Sequence, residues 1–198
     1  MGVMMKYSLS LLLILITNEL NNSVYYKNSP LSVKEKVCDV CFINNIIIGD
    51  SQSPYVDWGS EDFNLIDKNP GLQSLWQGGK TLNWLLSGVR KYKIDSSVCN
   101  VAICIGTNGG FNKKDSISEL VNQLHIKFPK SRLFIIQGSW GWGGVSNKTE
   151  SMVRDYYKEF EKLGVIIINP PIGKIEPHGR KPIYKEIGNN LDSLFKIN

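Results

Sequence analysis

Apolar positions along this chain fall into two alternating patterns. Short, nearly continuous apolar runs occur at "FINNIIIG" (42–49), "FNLI" (63–66), "SVCNVAICIG" (97–106), "RLFIIQG" (132–138) and "VIIINPP" (165–171). They are rich in β-branched residues and stop at Gly, Asp, Asn or Pro, which predicts buried strands. Between them the apolar residues recur every three or four positions. In "TLNWLLSGVRKY" (81–92), Leu82, Leu85, Leu86 and Val89 share one face, with Thr81 placed as a cap. In "DSISELVNQLHIKF" (115–128), Ile117, Leu120, Val121 and Leu124 do the same after a box-like Asp115/Ser116–Glu119 start. Helices are predicted as well over 149–164, closed by glycine, and over 182–197.

Strands alternating with helices of this length imply βαβ units. Strands apolar on both sides need a sheet covered on both faces. The expected fold is therefore α/β: a three-layer α/β/α sandwich on a five-stranded, mostly parallel, flavodoxin-like sheet of order 2-1-3-4-5. One domain over 37–198 is expected to hold it.

The first residues change the picture of where the protein works. Lys6 precedes an apolar run over 9–16, which polar residues follow. That run is far shorter than the ~20 apolar residues needed to span a bilayer, so stable membrane insertion is not expected. Residues 1–22 read as a signal peptide or an N-terminal helix. A signal peptide would place the protein outside the cytoplasm.

Charge adds little. The net charge of +5 comes from scattered Lys and Arg, without a continuous basic stripe or a recognition motif. Nucleic acid is therefore not an expected partner. The four cysteines are Cys38, Cys41, Cys99 and Cys104. Cys99 and Cys104 would sit roughly 16 Å apart on opposite faces of one strand, so a four-cysteine zinc site is not expected. A disulfide from Cys38 or Cys41 to Cys99 is expected if the chain is secreted, with Cys104 in the core.

Ligands of such sheets bind beyond the carboxyl ends of the strands. The turn after the first strand is "GDS", with Ser51. After the second comes "WQGGKT", with Gly78 and Gly79, and after the third "GTNGG", with Asn108. The loop after the fifth strand is long and contains "KIEPHG", with His178. The order 2-1-3 sets Ser51 between Gly79 and Asn108. That arrangement suits acyl transfer. A serine attacks a carbonyl carbon, and donors must be aimed at the oxygen that becomes charged. The backbone N–H groups of Ser51 and Gly79 and the side-chain amide of Asn108 are the candidate donors. His178 is the candidate base. The other histidine, His125, falls within a helix and is assigned no role in the site. This chemistry needs no cofactor and no metal.

These four blocks resemble the SGNH, or GDSL-like, hydrolase superfamily. The resemblance spans about residue 46 to the C-terminus. It implies Ser51 as nucleophile and oxyanion donor, Gly79 and Asn108 as the other donors, and His178 as base, with Tyr184 opening the last helix. The family usually carries an aspartate three residues before the histidine. Here that position is Ile175, and Glu176 is the nearest acid. Either Glu176 orients the imidazole, or the site is a Ser–His dyad, or the homologue is inactive. The proline that follows the family's histidine is replaced by Gly179.

Asp50, Trp58, Trp76, Trp140 and Trp142 are expected on the substrate side. The four tryptophans fall in segments read as active-face loops, where indoles either stack on sugars or simply pack the loops; the first reading makes an acylated glycan the expected substrate beside a small acyl ester. A catalytically impaired glycan-binding protein on the same fold is the alternative. A phosphate or nucleotide binder is disfavoured, since "GDSQSPYVDWGS" is acidic and poor in glycine where a phosphate loop would lie.

Overall fold

The computed structural model describes residues 44–68, 71–106, 108, 114–143, 146–168, 173, 174, 178 and 181–195. All of them belong to one compact unit, Ile43–Asn198. The leader expected over 1–22 lies outside the described residues, as do Cys38 and Cys41.

Five strands form one sheet: β1 (Asn44–Gly49), β2 (Asn64–Leu65), β3 (Val98–Cys104), β4 (Arg132–Ile136) and β5 (Ile166–Ile168). Their order is β2-β1-β3-β4-β5 and every pairing is parallel. The helices are α1 (Ser53–Gly59), α2 (Leu82–Lys91), α3 (Lys114–Lys127), α4 (Glu150–Glu161) and α5 (Lys181–Phe195). The expected architecture is therefore present, with one addition. Helix α1 occupies a segment whose spacing gave no helical signal. Seven residues are too few to display a period, but Pro54 at its first turn is a helix-start signal.

Register decides which side chains meet. Ile46 pairs with Val101 and Ile48 with Ile103; Val101 pairs with Leu133 and Ile103 with Ile135. These six point to one face, where α2, α3 and α4 cover them with Leu85, Val89, Leu120, Leu124, Tyr157 and Phe160. The alternate residues Ile47, Ala102, Cys104, Phe134, Ile136 and Ile168 point to the other face. There they meet Val56 of α1 and Tyr184, Ile187 and Leu191 of α5. Full burial of such side chains contributes about 1.5–3 kcal/mol each.

Two polar features fix the frame. At the amino ends of the strands, the Asn100 amide donates to Asn45 Oδ1 at 2.7 Å, and Arg132 Nε donates to Asn100 Oδ1 at 2.9 Å. A one-residue slip would break both bonds and invert every apolar position. Helices α1 and α5 cross with their backbones touching. A Cβ placed on Gly188 would lie 2.1 Å from the Gly59 carbonyl carbon, and one on Gly59 would lie 2.0 Å from the Tyr184 oxygen. Only glycine permits that approach. The crossing is tied by Asp192, whose carboxylate accepts from Ser60 Oγ at 2.5 Å and from the Glu61 N–H at 2.9 Å.

The expected caps are partly realised. Thr149 Oγ1 accepts from the Met152 N–H at 3.3 Å. Thr81 has the extended backbone of a cap but makes no side-chain bond. Glu119 directs its carboxylate to Arg90, at 3.3 Å, and to Gln123, at 3.1 Å. Cys99 and Cys104 are free thiols, Cys99 half-buried and Cys104 in the core. The partners expected for Cys99 lie outside the described residues; its Sγ lies 3.7 Å from the Ser97 carbonyl oxygen. Among the described residues, no helix is long and apolar enough to cross a membrane.

Candidate active site

The end of β1 is held on both sides. Toward β2, the Gly49 N–H donates to Leu75 O at 3.0 Å, and the Gln77 N–H donates to Gly49 O at 3.0 Å. Toward β3, the Asp50 N–H donates to Cys104 O at 2.7 Å. A Cβ on Gly49 would stand 1.9 Å from that same Cys104 oxygen, so the strand ends on glycine of necessity.

This stitching brings the glycine loop to the serine. A Cβ on Gly78 would touch Ser51 Cβ at 3.6 Å, and Gly79 follows in the left-handed region, φ +72°. Ser51 is half-buried, at the turn between β1 and α1. Its Oγ lies 3.0 Å from His178 Nε2, across 127 residues of sequence. The distance suits proton transfer from hydroxyl to imidazole. Ser51, Gly79, Asn108 and His178 thus converge at the carboxyl edge of the sheet. His125, by contrast, is exposed on α3, far along the helix from any of these turns.

Asp50 corrects an expectation. It is fully buried, so it does not face a substrate. Successive residues leave the strand in opposite directions, and where Ser51 turns outward Asp50 turns in. Its Oδ1 accepts the Gln52 N–H at 3.0 Å, and its Oδ2 accepts from Asn108 Nδ2 at 3.3 Å. One of the two Asn108 amide hydrogens is thereby committed to Asp50. Asp50 thereby holds the Asn108 amide in one direction. Burial pushes its carboxyl from 3.8 up to about 7, opposed by the hydrogen bonds from Gln52 and Asn108. Beneath it, burial and the nearness of Asp50 push the Cys104 thiol upward too.

The imidazole is surrounded by rings. Tyr55 of α1 lies 5.3 Å from it between centroids, at 63°. Trp142, in the loop after β4, lies 6.0 Å away at 81°. Tyr55 stacks in turn on Tyr184 at 5.0 Å and 26°. Tyr184 is fully buried at the start of α5. The loops that carry Trp142 and His178 are joined: the Trp140 N–H donates to Gly173 O at 3.1 Å, and the Lys174 stem packs where a Cβ on Gly141 would be. Sequence spacing gave no sign of Tyr55, because its neighbours come from three distant segments.

The remaining tryptophans behave differently from one another. Trp76 donates its indole N–H to Asp67 at 3.0 Å and packs against both core layers. Trp140 packs against the larger core layer. Trp58 stands in helix α1 rather than in a loop, 50 % exposed, with the Lys181 ammonium 5.3 Å from its ring centre. Trp84, on α2, is half-buried under Lys80. Ile175, Glu176 and Gly179 lie outside the described residues.

No protein-family model matches the sequence, and no curated protein is significantly similar to it. Solved structures do resemble it. A member of the lipolytic protein G-D-S-L family from Veillonella parvula DSM 2008 is 12 % identical, with 79 % of this chain and 100 % of that one covered and a TM-score of 0.53. A Streptococcus pneumonia protein, provisionally described as a platelet activating factor, is 14 % identical, with 98 % and 99 % covered and a TM-score of 0.52. At these identities the likeness is one of fold. The chain has the three-layer fold of the SGNH, or GDSL-like, hydrolases.

Proposed function

We propose that this protein is a serine ester hydrolase that removes acyl groups, acetyl among them, from a carbohydrate. The observation that carries the reading is the 3.0 Å contact between Ser51 Oγ and His178 Nε2, with Gly79 and Asn108 in the segments that follow the adjoining strands β2 and β3. His178 takes the proton as Ser51 Oγ bonds to the acyl carbon. The carbonyl oxygen becomes an oxyanion, held by the N–H groups of Ser51 and Gly79 and by the free amide hydrogen of Asn108. As the tetrahedral centre collapses, His178 returns its proton to the leaving alcohol oxygen. Water then repeats the attack with His178 as base, releasing the carboxylic acid and freeing Ser51.

Trp142 borders His178, and its buried indole N–H has no acceptor among the described residues. A sugar or ester oxygen would satisfy that donor, and leaving it unpaired costs about 1–3 kcal/mol. The exposed ring of Trp58 offers a second apolar surface. The leader-like residues 1–22 support action outside the cytoplasm.

A fluorophosphonate probe should label Ser51, identified by mapping the modified peptide. Acetate release from an acetylated polysaccharide should fall more than about 10³-fold in Ser51→Ala and in His178→Ala. Turnover that survives Ser51→Ala refutes the mechanism. Binding of the polysaccharide without turnover, unchanged in Ser51→Ala, would instead identify a glycan-binding protein.

A further inference from the structure

We propose that Tyr55 and Trp142 form an aromatic clamp that holds the His178 imidazole toward Ser51, making both positioning residues for the base. The proposal rests on the hydrolase reading for its consequence in rate, but on contacts alone for its geometry.

His178 is carried by the loop after β5, an edge strand of three residues at the far side of β4 and β3 from Ser51. Two rings from separate elements meet it: Tyr55 at 5.3 Å and 63°, and Trp142 at 6.0 Å and 81°. Both separations and both steep angles fall in the favourable range for edge-to-face aromatic contacts. Neither ring is loose. Tyr55 is stacked on Tyr184, which is buried where α5 crosses α1. Trp142 is fixed through its neighbours by the Trp140–Gly173 hydrogen bond and by the packing of Lys174 on Gly141. The clamp therefore connects the imidazole to the α1–α5 crossing on one side and to the loop after β4 on the other. It restricts the ring's choice among side-chain rotamers whatever other group contacts it.

Tyr55→Leu and Trp142→Leu remove one jaw each, from different elements, so a folding failure in one leaves the other to report. Tyr55→Phe keeps the ring. With Ser51-dependent ester turnover as readout, Tyr55→Leu should lower kcat about tenfold with KM changed less than twofold. Tyr55→Phe should stay within twofold of wild type, and the double Leu variant should lose about a hundredfold. A loss in Tyr55→Leu confined to KM, or equal losses in Tyr55→Phe and Tyr55→Leu, overturns the proposal. A second measurement does not depend on turnover. Three-bond couplings of the His178 β-protons, separated from His125 by His125→Gln, should give one χ1 rotamer in wild type and averaging in the double variant. A single rotamer kept in the double variant overturns the clamp even if wild type hydrolyses nothing. Absence of Ser51-dependent turnover in wild type, with the rotamer result as expected, would refute the hydrolase reading and leave the clamp standing.

Discussion

Replacing Asp50 by asparagine tests the buried carboxyl through the pH dependence of folding. Asp50 is fully buried and its pKa rises from 3.8 to about 7, chiefly because burial disfavours the charged form. The folded value lies above the unfolded one, so the stabilising contribution is complete below about pH 4, where both states hold the proton. Between about pH 4 and pH 7 the unfolded chain releases that proton while the folded chain keeps it, and stability falls. Above about pH 7 both are ionised and the loss levels off. About three pH units at 1.36 kcal/mol each make the loss about 4 kcal/mol. The amide introduced by Asp50→Asn does not ionise in this range. The stability of Asp50→Asn minus that of wild type should therefore rise by about 4 kcal/mol between pH 4 and pH 8. Urea unfolding followed by tryptophan fluorescence, at one-unit pH steps, measures it. Taking the difference cancels every group common to both proteins. A difference that stays flat across this window would refute the assignment of a buried, uncharged-preferring carboxyl. Activity should move the other way. A neutral amide is a weaker acceptor for Asn108 than a carboxylate, so kcat at pH 8 should fall about tenfold even where the variant is the more stable protein.

Asn108→Ala should lower kcat about 10²–10³-fold, the usual loss for one oxyanion donor, with KM nearly unchanged in steady-state assays. It also removes a hydrogen bond that lowers the Asp50 pKa, so the upper end of the pH window in which stability falls should move to higher pH. Gly188→Ala drives a methyl into the Gly59 backbone; unfolding by denaturant should show a loss of about 2 kcal/mol or more, and an unaltered midpoint would mean that the two helices do not cross as described. Arg132→Leu leaves Asn100 Oδ1 without its donor in the buried ladder; the expected cost is about 1–3 kcal/mol, read from thermal or urea unfolding.

Strand positions and sheet order were legible because buried parallel strands write themselves as uninterrupted apolar runs that end in turn residues. Ser51, Gly79, Asn108 and His178 could be placed because each follows such a run. Side-chain direction at the turn was not legible. Asp50 sits beside Ser51 in sequence yet points the opposite way into the core. Helix α1 was missed because seven residues give an amphipathic pattern too little length, and with it went the true setting of Trp58. Tyr55 was invisible for another reason: its meaning comes from His178 and Tyr184, more than a hundred residues away. The loop tryptophans also divide by partners that spacing cannot reveal, since Asp67 claims the Trp76 indole while Trp142 borders the imidazole.

The 127-residue separation of Ser51 from His178 has a consequence for timing. Every strand pairing in this sheet is parallel, so each must close a long loop before its contacts reward it. Under the proposed mechanism the nucleophile enters with the first strand and the base only after the last. While the chain is being made or refolded, an exposed GDS turn exists for some time with no imidazole beside it. Such a half-built molecule has no base to activate its serine. The first appearance of fluorophosphonate reactivity in a refolding chain would then mark the docking of β5 and α5, making chemical competence a clock for the final step of folding.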